Sequence, residues 1–124
     1  SEMCIRDRLK DACRQLDEYF DGKRQKFDLA LKPHGTNFQR SAWESLLSIP
    51  YGETRSYLQQ AEYIHNPKAI RAIGQANSHN PIPIMIPCHR VIGKNGSLTG
   101  YAGGLERKKR LLALEQSFMH EQNY

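Results

Sequence analysis

Three prolines stand within the seven residues Pro81-Ile82-Pro83-Ile84-Met85-Ile86-Pro87, and no helix interior passes through them. Each proline removes a backbone donor, and its ring clashes with the preceding helical turn. The residues between them are apolar, so the segment is expected to be extended and buried, delivering Cys88 to a fixed place. The rest of the 124-residue chain must arrange itself on either side of this break. A chain of that length supports one compact domain with its own core.

Before the break the patterns are helical. Leu9, Cys13, Leu16, Tyr19 and Phe20 recur at helical spacing, which predicts an amphipathic helix over residues 8–21 closed by Asp21-Gly22. Residues 26–33 read as an irregular connection. Thr36-Asn37-Phe38-Gln39 has the form of a capping box. It opens a helix with Phe38, Ala42, Trp43, Leu46 and Leu47 on its buried stripe, ended by Ile49-Pro50-Tyr51-Gly52. Ser56-Tyr57-Leu58-Gln59 repeats the box and starts a short helix to about Ile64.

Asn66-Pro67 suits an N-cap with proline at the first helical position. The helix this predicts over residues 68–77 puts Ala69, Ile70, Ile73 and Ala76 on one side. Lys68, Arg71 and Gln75 fall on another. Two short helices joined by a tight turn, the second with a polar and basic face, fit a helix-turn-helix. An ordinary solvated helix face would look the same.

After the break, Val91-Ile92 and Ser97-Leu98-Thr99 flank Gly93-Lys94-Asn95-Gly96, whose Asn-Gly pair favours a hairpin turn. Tyr101-Ala102-Gly103-Gly104 reads as a loop. Leu105, Leu111, Leu112 and Leu114 mark a final helix, with a tail after Gln116.

The net charge of +5 suits an anionic partner, and equally a surface that is merely basic. No apolar run nears the roughly 20 residues that span a bilayer, and the first residues lack the pattern of a secretory signal. A cytoplasmic protein is expected. Cys4, Cys13 and Cys88 are too few and too unevenly spaced for a disulfide framework, and no Cys/His cluster suggests a metal. Free thiols are therefore expected.

Pro87-Cys88-His89-Arg90-Val91 is the most informative stretch. A cysteine attacks as thiolate, and an imidazole can take its proton directly or through a water while a carboxylate holds the imidazole. On an extended chain, adjacent side chains point to opposite faces, so a bridging water is the simpler link between Cys88 and His89. Read from residue type alone, Cys88 fits better a small buried hydrophobe, the commonest fate of a free cysteine. Cys13, on the first apolar stripe, is expected to be one. His89 and Arg90 fit a surface pair satisfied by carbonyls.

Ile86-Pro87-Cys88-His89-Arg90-Val91-Ile92 resembles the active-site signature of the O6-methylguanine-DNA methyltransferase family. The flanks match in order: Tyr51-Gly52-Glu53 with Ser56-Tyr57, Asn66-Pro67-Lys68-Ala69 with Arg71-Ala72-Ile73-Gly74, and Asn80-Pro81. Gly100-Tyr101-Ala102-Gly103-Gly104-Leu105 and Leu111-Leu112-Ala113-Leu114-Glu115 continue the match, which runs from about residue 15 to 116.

The resemblance implies a mostly helical α/β fold: a winged helix-turn-helix domain with a small β-hairpin, carrying both DNA binding and the active site. It implies single-turnover transfer of an alkyl group from O6-alkylguanine, and by extension O4-alkylthymine, in double-stranded DNA to Cys88. Neither metal nor organic cofactor is implied, and a monomer is expected. Cys88 would be the nucleophile, His89 the base acting through water, and Glu115 its orienter. Asn80 would stabilise the reactive loop, and Tyr57 would serve the N3 side of the departing guanine. Arg71 would fill the gap left by a flipped nucleotide. Lys68, Ala69, Ala72 and Gln75 would lie along the minor groove with it. Val91, Thr99, Tyr101 and Ala102 would shape the base pocket.

The implied organisation is a disordered or non-native start over residues 1–8 and a remnant helix and connection from an N-terminal domain over 9–33. The winged-helix alkyltransferase domain then covers 34–116, and a tail 117–124. His65 stands where the family commonly has glycine, and would be strained if φ is positive there. Gln60 stands where leucine is frequent, which would thin the local core. Two rival functions compete. A non-catalytic alkyltransferase-like lesion-binding protein typically has tryptophan in place of Cys88. A turning-over Cys-His hydrolase would have to release its product from the thiol.

Overall fold

The computed structural model describes residues 5–29, 33–93 and 104–122, and the chain divides into two compact units, Ser1–Lys32 and Pro33–Tyr124. In the first, helix α1 spans Ile5–Phe20, so residues 5–8 are helical rather than a disordered start. The expected apolar stripe is corrected. Leu9 and Cys13 are exposed, and the inward positions are Gln15 and Tyr19, one turn apart. Gln15 turns in because the returning chain satisfies its amide: it donates to the Asp28 carbonyl at 3.1 Å and accepts from the Asp28 N–H at 2.8 Å. The Tyr19 ring packs on Phe20 and Phe27. Beyond α1, Gly22 adopts φ 76°, and Lys23 N–H reaches back to the Glu18 carbonyl while Gly22 N–H reaches Tyr19. That is a Schellman closure, which a β-carbon at the left-handed position would disfavour.

In the second unit, α2 is Asn37–Leu47 and α3 is Tyr57–Tyr63, and both open on the expected capping boxes. Thr36 and Gln39 exchange two 3.0 Å bonds. Ser56 and Gln59 do the same at 2.8 and 3.1 Å. Ala42, Trp43 and Leu46 face inward as read, joined by Ser45, whereas Leu47 is half exposed. It lies about 100° around the helix from Leu46 and so leaves the buried arc.

Helix α4, Ile70–Ser78, starts later than read from Asn66-Pro67. The Asn66 carbonyl accepts from Ala69 N–H at 3.0 Å, making a separate turn, and no side chain caps α4. Ile70 accordingly lies outside the core, while Ile73 and Ala76 are buried. Ala42, Ala61, Ile73 and Ala76 form the contact between α2, α3 and α4, with Phe38, Tyr57, Ile64 and Ala69 packed against it. Between α3 and α4, His65 has φ 62°, the left-handed geometry of the tight turn. The two helices form the helix-turn-helix.

The proline segment is not extended. Ile86 N–H bonds back to the Ile82 carbonyl at 3.0 Å, and Ile84 turns with φ 77°. Asn80 brackets the loop: its Oδ1 accepts from Ile82 N–H at 2.9 Å and its Nδ2 donates to the Ile86 carbonyl at 2.6 Å. Prolines that exclude a helix also suit turns, and one amide here closes both ends of the turn. Cys88–Arg90 follow as a single 3-10 turn.

Strand β1, Arg55–Ser56, pairs in parallel with β2, Val91–Ile92. Val91-Ile92 was expected as one arm of a hairpin, whose turn and second arm lie outside the described residues. The pairing sets the first residue of α3, Tyr57, beside the chain leaving the Cys88 turn. Helix α5 runs Leu105–Gln122, well past the expected tail at 117. Among the described residues no helix is long and apolar enough to cross a membrane.

Candidate active site

The 3-10 turn decides the site. At about three residues per turn, consecutive side chains fan out in different directions, and Cys88, His89 and Arg90 are all buried. The loop bracketed by Asn80 feeds the turn from one side, and the β1–β2 pairing holds it on the other. Cys88 N–H is fixed to the Ile86 carbonyl at 2.8 Å.

His89 is fully buried, and its Nε2 lies 2.6 Å from Glu115 Oε2. Arg90 is not a surface residue. Its Nε and Nη2 donate to the two oxygens of Glu115 at 2.9 and 3.1 Å, and its Nη1 donates to the Ile49 carbonyl at 2.8 Å. Its guanidinium also stacks 5.6 Å from the Tyr51 ring centroid. Gly52 N–H also donates to Glu115 Oε1 at 3.1 Å. Burial pushes the Glu115 carboxyl up, but the hydrogen bonds from His89 and Arg90 outweigh it and hold the group at about 2.

An ionised Glu115 fixes the histidine tautomer. A carboxylate only accepts, so Nε2 carries the proton and Nδ1 presents its lone pair. Nδ1 is buried with no hydrogen-bond partner among the described residues. Burial lowers the imidazole's proton affinity and Glu115 opposes that, leaving it lowered on balance. The arrangement supplies a neutral imidazole with one nitrogen able to take a proton.

Cys88 is buried, which pushes its thiol up; a hydrogen bond from the Asn80 side chain and the charge of Lys108 pull the other way, leaving it raised on balance. Lys108 is itself fully buried on α5, with its proton affinity lowered by burial and raised by Cys88. Its Nζ lies 6.0 Å from the Tyr57 ring centroid. The structure thus places Asn80 on the loop that enters the Cys88 turn and Glu115 against His89, with Lys108 near the Tyr57 ring.

Arg90 and Lys108 were the omissions. Lys108, Leu111 and Glu115 stand at i, i+3 and i+7, so they share one face of α5, and a lysine on that apolar stripe was the available signal. Arg90 sits between the buried residues Ile86 and Val91, and a charged residue inside an apolar run implies a buried counter-charge.

The remaining residues separate by place. Lys68, Arg71, Ala72 and Gln75 are exposed at and along α4, while Ala69 is half-buried against the core. Val91 is fully buried, and its N–H is given to the Cys88 carbonyl. Thr99, Tyr101 and Ala102 lie outside the described residues.

The family model of the 6-O-methylguanine DNA methyltransferase DNA-binding domain matches residues 37–117. A methylated-DNA–protein-cysteine methyltransferase of Methanosarcina barkeri is 57% identical over 109 residues, 88% of this chain and 69% of that protein. A crystal structure of Mycobacterium tuberculosis OGT in complex with DNA matches with a TM-score of 0.86 and 55% identity. It covers 89% of this chain and 67% of that one. S. pombe Atl1, in complex with damaged DNA containing O6-carboxymethylguanine, is more distant. Its TM-score is 0.59 and its identity 30%, over 67% of this chain and 79% of that one. With a family match that takes in the helix-turn-helix, the Cys88 turn and Glu115 together, this chain belongs to the 6-O-methylguanine-DNA methyltransferase family.

Proposed function

We propose that this protein repairs O6-alkylguanine in double-stranded DNA by moving the alkyl group onto Cys88, once per molecule. The observation that carries the residue assignment is the fixed tautomer of His89. With Nε2 engaged by Glu115, the buried Nδ1 keeps a lone pair suited to draw a proton from Cys88 through a water. The thiolate Sγ then forms a bond to the alkyl carbon as the carbon–O6 bond breaks. The electron pair leaves with guanine, which gains a proton on the side served by Tyr57. A thioether does not hydrolyse, so the thiol is consumed and no residue is needed to regenerate it.

O6 is out of reach inside the stack, so the nucleotide must rotate out, at a cost of a few kcal/mol. Arg71 on the exposed face of α4 is suited to fill the gap. Ala72 beside it lets the helix approach the minor groove closely, and Lys68 and Gln75 suit phosphate or sugar contacts. Lys108 supports the thiolate from within. Its ammonium opposes the penalty that burial imposes on a charged sulfur. The site of action is the cytoplasm, and the protein acts as a monomer.

The non-catalytic rival is the more distant match, and Cys88 supplies the acceptor that such a protein does without. Incubation with a duplex carrying one O6-methylguanine separates the readings: one methyl per protein supports transfer, none supports lesion binding, and many turnovers would indicate a hydrolase.

A further inference from the structure

Gln60 is read from sequence as a thinning of the core, but it is buried within a directional polar lock. Its Nε2 donates to Asn77 Oδ1 at 3.0 Å, and Asn77 Nδ2 donates back to Gln60 Oε1 at 2.8 Å. Both side chains are nearly inaccessible. Gln60 Nε2 also reaches the Ala42 carbonyl at 3.2 Å and Ser45 Oγ at 3.1 Å, so the pair ties α3 and α4 to α2. A third directional bond lies alongside: Trp43 Nε1 donates to the Ala76 carbonyl at 2.9 Å.

The position of this lock is informative. It grips the C-terminal half of α4, whereas the exposed residues Arg71 and Ala72 occupy the first turn. Asn77 also stands three residues before Asn80, whose N–H bonds to the Asn77 carbonyl at 3.2 Å. Asn80 in turn brackets the loop that delivers Cys88. Around the lock, the buried cluster between α2, α3 and α4 is three alanines and Ile73, with Phe38 packed against it, and these apolar contacts carry no direction of their own. Leucine, the residue frequent here in the family, would fill the space by shape alone and leave the angle to the surrounding packing. A reciprocal amide pair fixes it, as a buried polar pair can fix register elsewhere.

We propose that the Gln60–Asn77 pair is a positioning element that sets the angle and distance between Arg71 on α4 and the Cys88 loop. The inference rests on the reading of Cys88 and Arg71 given above. A nucleotide held out of a duplex must meet both at once, so their relative placement governs repair of duplex DNA. A free base needs only the Cys88 pocket. Misplacement by about 1 Å is enough to slow a reaction on the order of a hundredfold.

The test is the ratio of two single-turnover rates, on a duplex carrying O6-methylguanine and on the free base O6-benzylguanine. The ratio cancels any loss of folded protein. Gln60→Leu/Asn77→Leu removes both partners together and leaves neither amide stranded, so folding should survive. The expected result is an unchanged free-base rate with a duplex rate at least tenfold lower. A ratio equal to that of the wild type in a folded double variant overturns the proposal. Should that variant not fold, Gln60→Asn decides: its shortened amide cannot span to Asn77, and the ratio should fall, whereas an unchanged ratio again overturns it. Failure of the wild-type protein to react with either substrate would instead refute the function itself.

Discussion

Glu115→Gln removes one charge from the centre of the site and changes little else in volume. In the wild type the carboxylate accepts from His89, from two nitrogens of Arg90 and from Gly52 N–H. Glutamine keeps one acceptor and turns the other oxygen into a donor, which must then face an N–H of Arg90 or His89. The carboxyl titrates at about 2 against an ordinary 4.5. At about 1.4 kcal/mol per unit, that difference corresponds to roughly 3 kcal/mol of folding stability. Breaking a buried ion pair on one side costs about 3–5 kcal/mol, so the two routes agree. The sign follows from the depressed value. The contribution is complete above the ordinary carboxyl range and is lost as pH falls from 4.5 toward about 2. Urea unfolding of both proteins at neutral pH should therefore show the variant less stable by roughly 3 kcal/mol, with most of that gap gone by about pH 3. Other carboxylates titrate alike in both chains and cancel in the difference. A gap that stays constant with pH, or one below about 1 kcal/mol at neutral pH, would refute the reasoning.

Arg71→Ala should slow transfer from duplex DNA at least tenfold while leaving transfer from a free alkylguanine base within about twofold, because a free base needs no flipping; equal losses on both would indicate a pocket or folding defect. His89→Ala should slow single-turnover transfer at least as much as Glu115→Gln, and the double variant should be little slower than His89→Ala, since members of one relay are non-additive. Additive losses would assign Glu115 a purely structural role. His65→Gly should raise stability by about 0.5–1 kcal/mol, because the turn holds His65 at φ 62°; thermal unfolding with no gain would show that the strain is absorbed elsewhere.

Local rules read well from the sequence because they are satisfied locally. Each capping box needs only four consecutive residues, and both are present at the expected positions. The Cys88 motif and Glu115 were legible through resemblance, whereas chemistry alone left thirteen acidic residues as candidates. What was missed depends on partners distant in sequence. Arg90 and Lys108 look like surface charges until α5 closes over them. The 55–56 strand exists only because 91–92 pairs with it. Gln15 and Gln60 replace expected apolar positions because backbone or a second amide satisfies them once buried. The proline segment departs from the extended expectation because prolines that exclude a helix also suit turns, and the Asn80 bracket folds it into one.

The central claim is that Cys88 is consumed by the alkyl group it removes. Intact-mass spectrometry after incubation with a duplex carrying O6-methylguanine, followed by peptide mapping, measures this directly. The expected product is one methyl group per protein on the peptide containing Cys88, with unmodified guanine left in the DNA, and no modification of Cys88→Ala, which still binds the duplex. A methyl group on Cys13, transfer persisting in Cys88→Ala, or repaired guanine in excess of the protein would contradict it.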